Sequence, residues 1–373
     1  MKTQILLPLI AVTFLTACQA AGPKAPPGPL AGVSVVGVAR GEWPDPATVP
    51  APCDTAEAVI ANSRDGLVQG HRLVDYAEAC VRRGDRRDLG QALLGYGLQQ
   101  IGNPREGLQV LKNLLSFPDS ARVLAPQGGD LARVLGHEAR SYFYAASRRW
   151  KEATDDLNWA IEAQTVANPS VTGALLARRG FYRSLEGNGP AAESSFEAAA
   201  ARWQGSEASS EIAFERGLGA LGGGRWSAAT RDLGQAFQQT GSDYRRTQAA
   251  LFAYFADAVI SLQAGQGLGN ARATLDARLS QAPPSDLLLP FVELLQGRVG
   301  PEAALAGAEN NPYQNIEASR AQAYLFIGIY HLLRGEGDVA GEAWTRGLAT
   351  RVTTLPDYLV MQALNRQFRN SSL

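Results

Sequence analysis

The chain has 373 residues, with 35 Lys and Arg against 36 Asp and Glu and a formal net charge of −1. That balance argues against a nucleic-acid partner, which demands a basic patch or stripe. Hydrophobic residues make up 45% of the chain, so a sizeable core is available to two or three ordinary domains or to one long repeat array.

In chain order, Lys2 puts a positive charge ahead of an apolar run from Ile5 to Leu15. The run is too short to span a bilayer as a stable helix and has the length of a signal-peptide core. It ends in Leu15-Thr16-Ala17-Cys18. This segment resembles the lipobox of bacterial lipoproteins. The resemblance implies that residues 1–17 are a signal peptide, that Cys18 is acylated, and that the mature chain starts there. An ordinary secretory signal with a Cys near its end is the alternative. Either way the chain leaves the cytoplasm for an oxidising space. The richest later apolar stretch, Ile327 to Leu333, contains Gly328 and His331 and is followed by Arg334, so it is no transmembrane helix. Membrane attachment is therefore expected through lipid on Cys18. Gln19 stands where enteric-type lipoproteins kept at the inner membrane carry Asp. The resemblance thus implies an outer-membrane anchor facing the periplasm.

Residues 18–52 hold Cys18 and a stretch rich in Ala, Pro and Gly, as in Gly22-Pro23-Lys24-Ala25-Pro26-Pro27-Gly28-Pro29. Proline removes donors and favours extended chain, so a flexible tether is expected. Val33 to Val38 is a candidate short strand or docking segment, and Trp43 a candidate anchor or turn residue. Cys53 and Cys80 follow. In an oxidising compartment they can close one bridge, which pins the end of the tether to the first strong helix. The other reading is two unpaired thiols, with Cys80 a small buried residue.

Residues 53–373 read as helix after helix. Apolar residues recur at three and four, and breaks fall at Gly84-Asp85, Gly102-Asn103-Pro104, Asn168-Pro169, Gly187-Asn188-Gly189-Pro190, Gly222-Gly223-Gly224, Gly241-Ser242 and Gly335-Glu336-Gly337. The helices form antiparallel hairpins that align on a small residue with a large one four later. The series is Gly107/Leu111, Ala153/Leu157, Ala192/Phe196, Ala229/Leu233, Ala271/Leu275 and Ala340/Trp344. First helices carry Leu94-Gly95 and Tyr324 to His331. This resembles the tetratricopeptide repeat, although the steps are longer and less even than its usual 34 or so residues. The resemblance implies an all-α fold, an α-solenoid of degenerate hairpins, with one irregular hairpin near Asp286 to Asn310. The last helix, Asp357 to Arg369, puts Tyr358, Met361, Leu364 and Phe368 on one face and is expected to be a C-terminal cap with a polar outer side.

Residues that could carry catalysis are few. His71, His137 and His331 lie far apart, and no zinc spacing, P-loop or nucleophile elbow is present, so neither a metal nor a cofactor is expected. Gly217 to Gly222 lies in a hairpin with no preceding strand, and reads as close packing and a helix end rather than a dinucleotide fingerprint. Asp155-Asp156 reads as a solvent-facing pair. The paired arginines, Arg245-Arg246 among them, read as residues near helix C-termini or turns.

The repeat resemblance further implies a concave groove, lined by first helices, that receives a peptide or helix from a partner protein. By register, Tyr96, Tyr142, Phe181 and Phe214 face it, with Gln99, Glu138 and Arg178 close by; the rings fit equally well as core between hairpins. The expected function is a non-enzymatic, membrane-anchored adaptor, first for peptidoglycan hydrolases, which proteins of this plan serve. A pilotin or assembly lipoprotein for a pilus, secretin or polysaccharide-export machine is the second reading. A cell-wall enzyme is the third, although no lysozyme-like lobe follows residue 54. A structural homo-oligomer, joined through solenoid ends or Val33 to Val38, is a further one.

Overall fold

Helix ends fall where the sequence places Gly, Asn and Pro. The computed structural model describes residues 45–61, 70–84, 86–116, 129–164, 169–310 and 315–369. The signal segment 1–17, Cys18, Val33 to Val38 and Trp43 lie outside them, as does the tether up to residue 44. The described residues form seventeen α-helices and no strand. Helix α1 (Pro52–Ala61) packs on α2 (Gly70–Arg83). Five pairs follow: α3 (Arg87–Gln100) with α4 (Pro104–Leu115), α5 (Gly129–Ala146) with α6 (Trp150–Gln164), α7 (Pro169–Glu186) with α8 (Gly189–Arg202), α9 (Ser206–Gly222) with α10 (Trp226–Gln239), and α11 (Asp243–Gln263) with α12 (Gly269–Gln281). Two short helices, α13 (Leu289–Leu295) and α14 (Pro301–Glu309), occupy the predicted irregular hairpin. The last pair is α15 (Ile316–Leu332) with α16 (Gly337–Ala349), and α17 (Pro356–Phe368) ends the series. Side chains cap where expected: Asn188 Oδ1 accepts from the Ala191 N–H, and Ser242 Oγ from that of Arg245. Adjacent packed pairs of this kind are consistent with an α-solenoid.

One packing rule repeats along the stack. Leu111, Leu157, Phe196, Leu233, Leu275 and Trp344, all on second helices, are buried. Four of them lie against a glycine of the preceding first helix. A Cβ on Gly95 would come within 2.5 Å of Leu111, one on Gly180 within 2.7 Å of Phe196, and one on Gly217 within 2.7 Å of Leu233. At Gly328 it would collide with the indole of Trp344, whose Nε1 donates to the Leu325 carbonyl at 3.1 Å. Each glycine thus lets a large side chain sit directly on helix backbone, at native packing density.

The stack closes on itself. Asn315, at the start of α15, donates through Nδ2 to the Gln100 carbonyl at the end of α3. Thr353 Oγ1 donates to Gln99 Oε1 at 3.1 Å, across 254 residues of sequence. From α17, Gln362 Nε2 donates to the Ala146 carbonyl at 2.9 Å. Helix α17 touches α5, α9, α15 and α16. Its predicted apolar face is buried with Asp357 among it, but so are Val360 on the flank of that face and Leu359 on the opposite side. The expected polar outer side is therefore confined to Arg366, Gln367 and Arg369. The helix is enclosed rather than a cap, because three first helices have already curved round the space it fills.

Cys53 and Cys80 are bridged, with Cα atoms 4.8 Å apart. Both are buried, and Arg83 NH1 donates to the Val49 and Pro50 carbonyls beside them. Arg86 pairs with Asp54 at 2.9 Å. Closing a loop of 27 residues restricts the unfolded chain, worth about 3 kcal/mol in the entropy model.

Two measurements check this packing. Reduction, or Cys53→Ser with Cys80→Ser, should lower stability by about 2–4 kcal/mol in denaturant titration, with exchange loosened first in α1. Gly328→Ala should cost about 1–3 kcal/mol through overpacking and be partly relieved by Trp344→Leu. Gly234→Ala, whose Cβ meets nothing within 4 Å, should instead stabilise by about 0.5–1 kcal/mol. Equal effects at the two glycines would contradict the rule.

Candidate functional site

First helices α3, α5, α9, α11 and α15 meet the segment 350–368, and α7 packs on α9 beside them. All seven residues expected to line an open groove lie in this region, and all are buried, from 0% exposed for Gln99, Phe181 and Phe214 to 6% for Tyr96. None of the seven is accessible: the rings and charges pack between first helices, and Thr353 of the C-terminal segment bonds Gln99. Gln99 donates to the Ala139 carbonyl at 2.9 Å and accepts from Thr353. Tyr96 accepts from Gln100 Nε2 at 2.5 Å, and Tyr142 donates to Glu138 Oε1 at 3.0 Å. The Arg178 guanidinium lies over the Tyr142 ring at 5.3 Å, and that of Arg245 over Phe214 at 4.1 Å. Phe181 is core beside Tyr182.

A chain of buried polar contacts runs through this interior. Arg178 donates twice to Glu215 Oε1, from Nε at 2.9 Å and NH2 at 2.5 Å. Arg245 donates to Glu211 Oε1 at 2.9 Å and to Gln248 Oε1 at 2.8 Å. Gln248 Nε2 reaches Asp357 Oδ1 at 2.9 Å, and Gln322 Nε2 reaches Asp357 Oδ2 at 2.8 Å and Tyr244 Oη at 2.5 Å. Asp357 is 1% exposed and belongs to the first turn of α17.

Electrostatics follow from burial. Desolvation pushes the Glu211 and Asp357 carboxyls above their ordinary range, against the pull of Arg245 on the first and Gln322 on the second. Burial raises the tyrosines, Tyr182 to about 12. Burial alone would lower Arg178, but Glu215, Tyr142 and Tyr182 hold it charged, above the usual value for arginine.

Glu211, Glu215, Arg245, Gln248, Gln322 and Asp357 were not legible as site residues. A signal existed: α9 runs Glu211-Ile212-Ala213-Phe214-Glu215, charges set in a segment with no polar face to hold them. Arg245 is in the first turn of α11, not near a C-terminus, so Glu211 rather than the helix dipole holds it. Outside this interior, Asp155 faces solvent beside Lys151, but Asp156 is buried. Its carboxylate binds His137 Nδ1 at 2.7 Å and the Arg140 fork at 2.6 and 2.9 Å, while the His137 ring stacks on Trp159 at 4.1 Å. Among the described residues no group of three or more His, Cys, Asp or Glu converges on a point that could hold a metal ion. No described helix is long and apolar enough to cross a membrane.

Arg178→Met should lower stability by about 3–5 kcal/mol, because Glu215 is left buried and uncompensated. Adding Glu215→Leu should restore much of the loss. Denaturant midpoints of both variants check this; a single-variant cost below about 1 kcal/mol would contradict it.

A scan against protein-family models finds no match for this chain, and no curated protein matches it.

Proposed function

We propose that this chain is a lipid-anchored, non-enzymatic scaffold that binds protein partners in the bacterial periplasm, with a tetratricopeptide-like body. The observation that carries the reading is the stack of helix pairs curved round an interior that accommodates an α-helix along its length. Such a shape suits helix and peptide recognition. The lipobox at Leu15 to Cys18 supports a membrane anchor, and the Cys53–Cys80 bridge fits an oxidising compartment. Control of peptidoglycan hydrolases is the service proposed first. Assembly of a pilus, secretin or export channel is the second reading.

The test uses full-length protein in its own cells, compared with Cys18→Ser. Mass spectrometry should find an acylated Cys18 at the mature terminus, and the substitution should release the protein from membranes. Crosslinking in the cell should then enrich cell-wall hydrolases with the wild type and lose them with Cys18→Ser. Enrichment of a secretin or pilus subunit selects the second reading. An unmodified Cys18, or no partner at all, overturns the proposal.

A further inference from the structure

We propose that α17 is a proton-held latch: Asp357 in its first turn and Glu211 on α9 hold protons while it is docked, and their ionisation raises the population in which it separates from α5 and α9.

The argument begins with a charge count. Glu215 is matched by Arg178, which leaves Glu211 and Asp357 with the one guanidinium of Arg245, and each of these five side chains is at most 7% exposed. Fully ionised, the set carries an excess of one negative charge. Burying an uncompensated charge costs several kcal/mol or more, and a carboxyl group avoids that cost by keeping its proton. The bonding shows where a proton fits. Arg245 engages one oxygen of Glu211, whose Oε2 is buried without a partner among the described residues, and the bonds to Asp357 come from the neutral amides of Gln248 and Gln322. A bare carboxylate oxygen in a dry site is unfavourable, whereas a protonated one is a donor.

Among the described residues the other cation acting on Glu211 is Arg178, which Glu215 engages, while at α17 Arg351 acts on Tyr358 and Arg148 on Arg366. Helix α3 contributes Tyr96, α5 Tyr142 with Glu138, α7 Tyr182 with Arg178, and α11 Tyr244 with Arg245. The tyrosines Tyr96, Tyr142 and Tyr182 are pushed further above neutrality by burial. From α15 comes Gln322, a neutral amide bonded to Asp357. On α9, Glu207 adds another acid, pushed up to about 7 by partial burial and by Glu211. Glu211 and Asp357 are raised in the same direction.

The sign is opposite to that of a salt-bridged carboxylate. A group raised in the closed form binds its proton more tightly there than in the open form. Its contribution is complete below the ordinary carboxylate range and is lost as pH rises through the closed-form value. Each proton released on opening makes the opening constant rise about tenfold per pH unit within that window. The link from α16 to α17 runs through Arg351 at φ 56°, a left-handed conformation unfavourable for a side chain, so closure does not relax the link.

Hydrogen exchange of the full chain from the ordinary carboxylate range, about pH 4, up to about pH 9, corrected for the intrinsic rate, tests the latch with residues 356–368 as reporter and α8 as reference. The expected result is loss of protection in α17 at about tenfold per pH unit or more, with α8 unchanged, and a shallower slope in Glu211→Gln/Asp357→Asn. A pH-independent α17, parallel loosening of α8, or an unchanged slope in the variant overturns the proposal. A Cβ on Gly222 would lie 3.3 Å from Ala363 Cβ but 2.4 Å from Leu185 Cδ2, so Gly222→Cys/Ala363→Cys with Leu185→Ala to make room can staple α17 to α9. The oxidised staple should abolish the slope, and a slope that survives it also overturns the latch. Should the charge variant not fold, the infrared carbonyl band of protonated carboxyl groups in the wild type decides. It should persist at pH above the ordinary carboxylate range, and its absence there sinks the idea.

Discussion

Polar groups on the inner sides of the first helices must be bonded or neutral once water is excluded, and this constraint shapes the whole interior. A polar atom buried without a partner costs about 1–3 kcal/mol, and a charge costs more. Segment 350–368 answers much of that demand. Thr353 bonds Gln99, and Asp357 takes the amides of Gln248 and Gln322. Apolar burial alone would accept many helices at this place. The polar contacts select one that enters with a carboxyl group in its first turn.

The paired glycine and large side chain determine how closely helices of one pair approach. The path changes where the second-helix series is interrupted, after Ala271/Leu275. Between α12 and α15 there is no full pair, only α13 and α14. Directly after them Asn315 reaches Gln100, and a Cβ on Gly70 would meet Asn315 at 3.1 Å. The irregular unit therefore stands where the stack returns to its own beginning.

Much of this was legible because it is local. Gly102-Asn103-Pro104 and Gly335-Glu336-Gly337 end helices by backbone chemistry, and the second-helix series from Gly107/Leu111 to Ala340/Trp344 shows its periodicity in any window. The cysteine pair was visible, although only the 4.8 Å approach of the Cα atoms decides between bridge and free thiols. What escaped depends on distant partners. Asp156 reads as ordinary helix surface until a neighbouring element covers it. Arg178 finds Glu215 37 residues on, and Gln248 finds Asp357 109 residues on. In α17 the face of Tyr358, Met361, Leu364 and Phe368 was plain. Leu359 and Val360 break that pattern, because the helix is enclosed on two sides rather than one.

Energies decide what an enclosed helix can do. Tyr358, Leu359, Val360, Met361, Leu364 and Phe368 are all buried, and each such side chain contributes about 1.5–3 kcal/mol. One ionisation shifts the balance by about 1.4 kcal/mol per pH unit, far less than that sum. Ionisation therefore moves the open form from rare to less rare and leaves the closed form dominant. On the scaffold reading, this gives a partner two routes. It can use the outer surface, for which α17 is irrelevant. Otherwise it must present a helix able to replace both the apolar face and the carboxyl group at Asp357, and its apparent affinity is reduced by the small open fraction. Rising pH enlarges that fraction, so binding by the second route strengthens with pH while binding by the first does not.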